Sequence, residues 1–576
     1  MRISHLAITN FRSIGNLELD LPQICALVGP NNAGKSNILR AIQRVLARDW
    51  VSVSSFDEQD VYSRDPDLDL SIALTFDPAI GYRRFKGADP VDISTLSFEF
   101  TRYKVGERKG QRRLEQKCFD LHGKPPSVLM KAPRKGHRHE YQPLVNVPSE
   151  VRDQIPVIYI GTNRSLKDQL PAARYSLLRQ LFEDVDRELH DPAQTIRIRG
   201  ADGVEIEAPR VDQFRELMDR AMAVLRTDSF AALEASLKKN ALRQLGLDPV
   251  ADVDKLDFFF SPFDTMDIYK ALDLRIRESG FTISATELGD GMQNALVLAI
   301  LQAFEERRKQ GAILLIEEPE MFLHPQMQRS LYKTLRKIGE TNQVIYTTHS
   351  PHFVSVPDYE HVALVRKGPG GTTAHRSDLP QDAKRREKLI KELDPERNEL
   401  FFATRLLLVE GDTEKLAIPE YASRLGLELD QSGVTIVEVG GKRNLPEFVQ
   451  IAKSFGIPVG VLYDRDASDF RSLREDEARF NAELDALRAA DGSVCVWQMV
   501  KDYEDELRRI LGEAMYQTLC QKFPYGKPTR ARLIAREPEL DLPDVIKDVL
   551  AWLTPAAAHP GLRTTPEEAA GNGSFA

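Results

Sequence analysis

Leu17, Leu19 and Leu21 alternate with polar residues, and three positions later the run Ile24 to Val28 is apolar throughout. Alternation marks a strand with one wet face, and a short unbroken apolar run marks a strand covered on both. Ile3 to Ile8 forms an earlier strand, so a hairpin precedes the buried one. Apolar residues from Asn37 to Leu46 fall at helical spacing, and β-like runs follow at Leu70 to Phe76, Leu96 to Tyr103 and Val157 to Ile160. The period then changes. Leu177, Leu178, Leu181, Phe182, Val185 and Leu189 lie on one helical face, as do Phe214, Leu217, Met218, Ala221, Val224 and Leu225. Strand alternation returns at Leu272, Leu274 and Ile276, an apolar helix spans Asn294 to Phe304, and buried-type strands occupy Ile313 to Ile316 and Val344 to Thr348. Past a charged stretch, Leu406 to Val409, Val459 to Tyr463 and Val494 to Val500 repeat the buried-strand pattern.

Short buried strands alternating with helices predict an α/β fold. The changes of period divide the chain at 1–165 and 251–377 for two parts of one domain, 166–250 for a helical insertion, 378–400 for a linker, 401–555 for a second α/β domain and 556–576 for a flexible tail. The insertion's apolar faces have two expected covers, each other or a second copy of the chain. No sustained heptad is present, which excludes a long coiled-coil arm.

Composition narrows the partners. The 576 residues carry a net charge of −9, which excludes a uniformly basic nucleic-acid glue and leaves room for a local basic groove. One island qualifies: Thr101 to Glu140 holds twelve Lys/Arg against four Asp/Glu. Its interleaved Gly, Pro and His predict an irregular loop, either solvated or, through Arg112, Arg113, Arg134 and Lys135, in contact with a phosphate backbone. The four cysteines have no paired spacing, and no stretch of about 18 apolar residues occurs. The expectation is a reduced, cytoplasmic protein without a membrane span.

Gly29-Pro30-Asn31-Asn32-Ala33-Gly34-Lys35-Ser36 fits G-x-x-x-x-G-K-[ST] between a buried strand and a helix, the context a phosphate loop requires. Its backbone N–H groups, from Gly29 through Asn31 and Asn32 to Gly34, turn toward phosphates, with Lys35 on the β/γ oxygens and Ser36 on Mg²⁺. Glu317 and Glu318 end a buried strand, the first suited to hold the metal and the second to polarise the attacking water. His349, after its own buried strand, suits a γ-phosphate sensor.

This order, with Asn10-Phe11-Arg12 and with Asn37 directly after Ser36, resembles ABC-type ATPase heads of the RecF and SMC kind. The resemblance adds Asn37 to the ATP-binding set and implies that Gly289 to Gln293, Gly291 among them, is a signature segment reaching a second subunit's nucleotide. Asp290 stands where that segment often carries Ser, which implies slower hydrolysis. Gln59 and Asp60 are candidates for the Q-loop.

A second acidic set follows. Glu410 and Glu414 flank a strand-to-helix junction, and Asp464 and Asp466 end another strand. Four carboxylates at one sheet edge repel unless divalent cations neutralise them, so Mg²⁺ or Mn²⁺ is expected there. Glu504 is placed to complete a metal shell, and Lys527 to stabilise a pentavalent phosphate. The Glu-Gly pair followed by D-x-D resembles a Toprim domain, a Rossmann-like fold. An ABC-type head with a helical insertion followed by a Toprim domain resembles the OLD (overcoming lysogenization defect) family of ATP-dependent nucleases. That resemblance implies metal-dependent cleavage of DNA with Glu410, Asp464 and Lys527 as its catalytic residues, beside Glu318 as the catalytic residue of ATP hydrolysis. It also implies ATP and Mg²⁺ or Mn²⁺ as cofactors, a homodimer or higher homo-oligomer, and phage defence beside a helicase or other protein encoded nearby. The alternative is a RecF-like clamp whose Toprim domain only grips DNA or a partner. A topoisomerase needs a tyrosine nucleophile module and a primase a zinc-binding segment, and neither pattern is present.

Overall fold

The computed structural model describes residues 1–46, 51–129, 141–162, 177–199, 205–245, 247–255, 264–278, 280–307, 311–379, 396–466, 475–489 and 492–554. Arg134, Lys135 and the tail 556–576 lie outside them. The chain packs as two compact units, Met1–Thr162 with Gly311–Ala576, and Asn163–Gln310.

In the first unit one sheet joins eleven described strands. From edge to edge they are Arg112–Phe119, Val91–Arg102, Leu70–Tyr82, Arg2–Phe11, Ile14–Asp20, Gly371–Arg376, Val362–Gly368, Ile24–Val28, Gln343–Thr348, Ile313–Glu317 and Val157–Ile160. The half beginning at Arg112 is antiparallel; the strands from Val362–Gly368 to Val157–Ile160 run parallel. Sequence explains the division. Ile14–Asp20 buries Ile14, Leu17 and Leu19 and exposes Asn16 and Glu18, whereas every residue of Ile24–Val28, Ile313–Glu317 and Gln343–Thr348 is buried. Helix Lys35–Leu46 covers the parallel half with Ile38, Leu39, Ile42 and Val45. Gln343 ties the halves together: its side chain accepts from Ile3 N at 2.8 Å and donates to Ile3 O at 2.7 Å and Pro22 O at 3.1 Å.

A second, wholly parallel sheet orders Val434–Glu438, Arg405–Val409, Val459–Asp464 and Val494–Met499. Helices Asp412–Arg424 and Lys527–Ala535 pack on each other beside it. Gly460 has no substitute here, because a Cβ would stand 2.9 Å from the rings of both Trp497 and Trp552. This is the doubly wound arrangement expected of a Toprim domain.

The other unit contains helices Leu177–Leu189, Arg210–Leu225 and Asp228–Gln244, two hairpins, and helix Asp290–Arg307, which starts at the expected signature segment. The helical segment expected at 166–250 falls within it. Leu217, Val224, Leu225, Leu233 and Leu237 are exposed, so within one chain the two middle helices keep apolar positions in water.

The basic island corrects an expectation. Arg112–Phe119 is an edge strand, not an irregular loop, and its charges are paired: Arg112 with Glu58 at 2.7 Å, Arg113 with Glu115 at 2.6 Å, Lys117 with Glu99 at 2.7 Å. The Arg112 side chain is only 8% exposed and lies over the Phe100 ring, so it serves the sheet rather than a phosphate backbone. Counting charge by segment hid this pairing, because Glu58 and Glu99 come from elsewhere in the chain.

Replacing Gln343 with Leu leaves the backbone groups of Ile3 and the Pro22 carbonyl without their side-chain partner. The expected loss is roughly 2–4 kcal/mol, read as a lowered denaturant midpoint. An unchanged midpoint would show that the junction of the two halves does not depend on this amide.

Candidate functional site

The phosphate loop is shaped by backbone that only particular residues adopt. Gly29 has φ 152° and Gly34 φ 105°, and a Cβ on either would strike Val365 O at 2.0 Å or Thr372 Oγ1 at 2.1 Å. Asn32 adopts φ 63°, and Asn31 and Asn32 are exposed at the loop's tip. A hydrogen-bonded chain pins the loop from below. Asn37 Nδ2 donates to Ser13 Oγ (2.8 Å), Ser13 Oγ meets Thr372 Oγ1 (2.8 Å), and Thr372 Oγ1 donates to Ala33 O (2.8 Å). Asn37 is therefore a brace of the loop in this geometry.

Lys35 is buried, with Nζ donating to Gly29 O (2.8 Å) and Pro30 O (3.0 Å). Burial pulls its pKa down to about 8, against the opposing pull of Glu318 and Glu320. Those charges place the Glu317-Glu318-Pro319-Glu320 turn beside the loop. Glu317 is buried at its strand's end, 3.5 Å from Arg40 Nε. Glu318 adopts φ 43° and comes within 3.5 Å of His349 Nε2. Burial, then the Lys35 charge, lowers the His349 pKa, while Glu318 opposes, so a neutral imidazole is favoured. Sequence reasoning passed over Glu320, which fixes the His349 backbone: it accepts from His349 N (2.6 Å) and Thr348 Oγ1 (2.8 Å). Its place in E-E-P-E was the available signal. Ser36 is half-buried in the helix's first turn. A cavity of about 570 Å³, lined by Arg12, Ser13, Gln59, Asp60 and Lys367 among others, adjoins the loop through Ser13. Asp60 there is held by Arg12 (2.8 Å) and Arg44 (3.3 Å). Gly291 belongs to the other compact unit.

The second site forms at the carboxyl ends of three neighbouring parallel strands. Val409 pairs with Leu462, which sets Glu410 beside Tyr463 and Asp464, and the Asp464 N–H lies 3.4 Å from Glu410 Oε2. Glu414 is buried in the first turn of helix Asp412–Arg424, and Glu504 in the first turn of helix Tyr503–Leu511. Lys527 Nζ stands 3.2 Å from Glu504 Oε1, so the lysine does reach the acidic set. Burial first, then the charges of Glu414, Glu410, Asp466 and Asp502, push the Asp464 pKa up to about 8. Glu414 is raised to about 7 by burial, with Glu410 and Glu504 adding to it, and Glu410 is raised by burial. Asp466, at φ 58°, is held by Lys442 at 2.6 Å. Lys442, on the Gly440-Gly441-Lys442 turn, belongs to no recognisable sequence motif.

These residues fit a hard divalent cation. The donors are all carboxylates, and Asp464 Oδ1 is buried with no hydrogen-bond partner. The set is open rather than closed. Among the described residues, three ligand atoms come within 4.8 Å of one another only in Asp358, Glu360 and His361, on the turn before strand Val362–Gly368.

The two sites are joined through one dipeptide. Asn398 Oδ1 accepts from Val356 N (3.0 Å), and its Nδ2 donates to Pro351 O and Val354 O (both 2.9 Å), bracing the turn that follows His349. Arg397 donates to Glu438 O and Oε2 (both 2.9 Å), at the strand end from which Lys442 is reached.

Known proteins match both halves. The family described as AAA ATPase domain matches residues 1–127 and 162–354, and the one described as Overcoming lysogenization defect protein-like, TOPRIM domain matches 401–466. Over 490 residues the chain is 30% identical to the OLD nuclease of Thermus scotoductus, covering 84% of this chain and 85% of that protein. It is 26% identical to the Old nuclease of Escherichia phage P2 over 534 residues (85% and 81%), and 23% identical to Endonuclease GajA of Bacillus cereus over 458 (77% and 71%).

The raised carboxylates make a pH prediction. Asp464 and Glu414 keep their protons in the folded protein up to about 8 and about 7. An unfolded chain releases them near 4, so the folded state binds more protons in between and loses stability as pH rises through that window. In EDTA the melting temperature should fall from about pH 5 to about pH 8, and Asp464→Asn should flatten the slope. A wild-type slope in the variant would mean that Asp464 is not strained by its neighbours.

Proposed function

The chain belongs to the OLD nuclease family, and we propose that it is an ATP-binding, divalent-metal-dependent DNA endonuclease that cuts phosphodiesters at its Toprim site. It is a nuclease with an ATPase in the same chain. The observation that carries the metal-dependent reading is the buried, unpartnered Asp464 Oδ1 among carboxylates whose pKa values are driven up by burial and by one another. A surface that only gripped DNA, as a RecF-like clamp would, has no use for such a cluster, because it repels phosphate.

Glu410, Glu414, Asp464, Asp466 and Glu504 are the residues proposed to hold Mg²⁺ or Mn²⁺. Bound there, a divalent ion lowers the pKa of water and neutralises charge on the leaving oxygen. Asp464 anchors the set from its strand end, and Glu410 takes the Asp464 N–H, which fixes the spacing of the two loops. Lys527, 65% exposed and tethered by Glu504, is free to turn toward a scissile phosphate and stabilise its extra charge. At the other site Lys35, Ser36 and the loop N–H groups take the phosphates of ATP, Glu317 the metal, and Glu318 the attacking water, with His349 set against the γ-phosphate. The cavity beside Ser13 gives a nucleoside room.

The apolar positions left in water on helices Arg210–Leu225 and Asp228–Gln244 support a homodimer or higher homo-oligomer. Phage defence beside a helicase or other partner encoded nearby is the role the family resemblance adds.

Purified protein should nick supercoiled plasmid with Mg²⁺ or Mn²⁺ and not in EDTA, and Asp464→Ala should abolish nicking. Lys35→Ala should lose ATP binding and keep nucleotide-free nicking, since the sites are separate. Undiminished nicking by Asp464→Ala would reject the site.

A further inference from the structure

Resting on the Toprim metal reading, we propose that Lys442 is a tethered cation that competes with a divalent ion for Asp466, so that the cluster fills in two unequal steps. Its side chain is only 11% exposed, and the ammonium spends two of its three donors on the D-x-D segment, at Asp466 Oδ2 (2.6 Å) and Asp464 O (2.7 Å). The turn that delivers it is built for the purpose. Gly440 and Gly441 adopt φ 75° and 109°, Gly441 N donates to Glu410 O (3.1 Å), and Asn444 Nδ2 donates to Val439 O (2.8 Å). Lys442 is thus fixed both to the strand end that carries Asp464 and to the residue that begins the acidic set.

Position gives this ammonium a different relation to each carboxylate. On Asp464 it takes the main-chain oxygen and leaves the buried Oδ1 without a partner, so this carboxylate still presents a ligand atom. On Asp466 it takes a carboxylate oxygen directly, and that side chain is half exposed. A divalent ion ligated by Glu410, Glu414 and Asp464 takes no carboxylate oxygen that the ammonium holds, although the Lys442 charge does act on Glu410. One that adopts Asp466 must share the carboxylate with a positive charge or displace it. The first ion therefore binds well and the second poorly, until Lys442 swings away.

Mn²⁺ uptake by the full-length, nucleotide-free protein, followed by the loss of the free-ion EPR signal, tests this without recourse to activity. Wild type should show one tight and one weak ion. Lys442→Met should tighten the weak ion about tenfold and the first by much less, while Lys442→Arg, which keeps the charge, should match wild type. Lys442→Met with Asp466→Asn should lose the gain. A Lys442→Met isotherm equal to wild type, or weaker, in a protein that melts like wild type would overturn the proposal. A merely structural lysine gives the weaker result. Wild type that takes up no Mn²⁺ would overturn the metal reading itself, and this inference with it.

Discussion

Like charges held close in a dry place are the constraint on which this molecule turns. Glu410, Glu414 and Asp464 lie in an open set where two neighbouring parallel strands end, and burial pushes Asp464 up to about 8. Such an arrangement opposes folding, and the scaffold beneath has to hold it. It does so with strands buried along nearly their whole length and a core of Leu407, Val409, Leu462, Met499 and Tyr503 that continues into the helices carrying Glu414 and Glu504. Lys442 and Lys527 each relieve the charge, one largely covered and held to Asp466, the other long, exposed and held to Glu504.

The nucleotide site obeys the same geometric rule on the larger sheet. Lys35, Glu317 and His349 follow the ends of parallel strands whose residues are buried throughout, where loops can converge without breaking the ladder. Between the sites, Asn398 braces the turn after His349 and Arg397 holds the strand end leading to Lys442. A shift of the turn after His349 has a short, hydrogen-bonded route to the acidic cluster. Spatial continuity makes coupling mechanically available; a coupling free energy is what would establish it.

Much of this was legible in the chain itself. Continuous apolar runs marked the parallel strands, and the carboxylates at their ends could be placed at the sheet's edge because the end of a strand fixes which residue reaches it. Lys527 joins the acidic set through a helix that packs on Asp412–Arg424, a long-range contact that spacing cannot show. Two things were hidden for the same reason. Glu58 and Glu99, which pair with Arg112 and Lys117, lie outside the island, so a basic island read as loop became a paired strand. Lys442 sits on a turn with no signature, and only the left-handed glycines before it, visible once φ is known, explain how its side chain turns back into the cluster.

The proposed cleavage needs a divalent ion lodged between Glu410, Glu414 and Asp464. Anomalous diffraction from crystals grown with Mn²⁺ and without nucleotide tests that most directly. The expected result is a peak bound by those three carboxylates, with Asp464 Oδ1 among its ligands. No peak there, or one only at Asp358, Glu360 and His361, would contradict it.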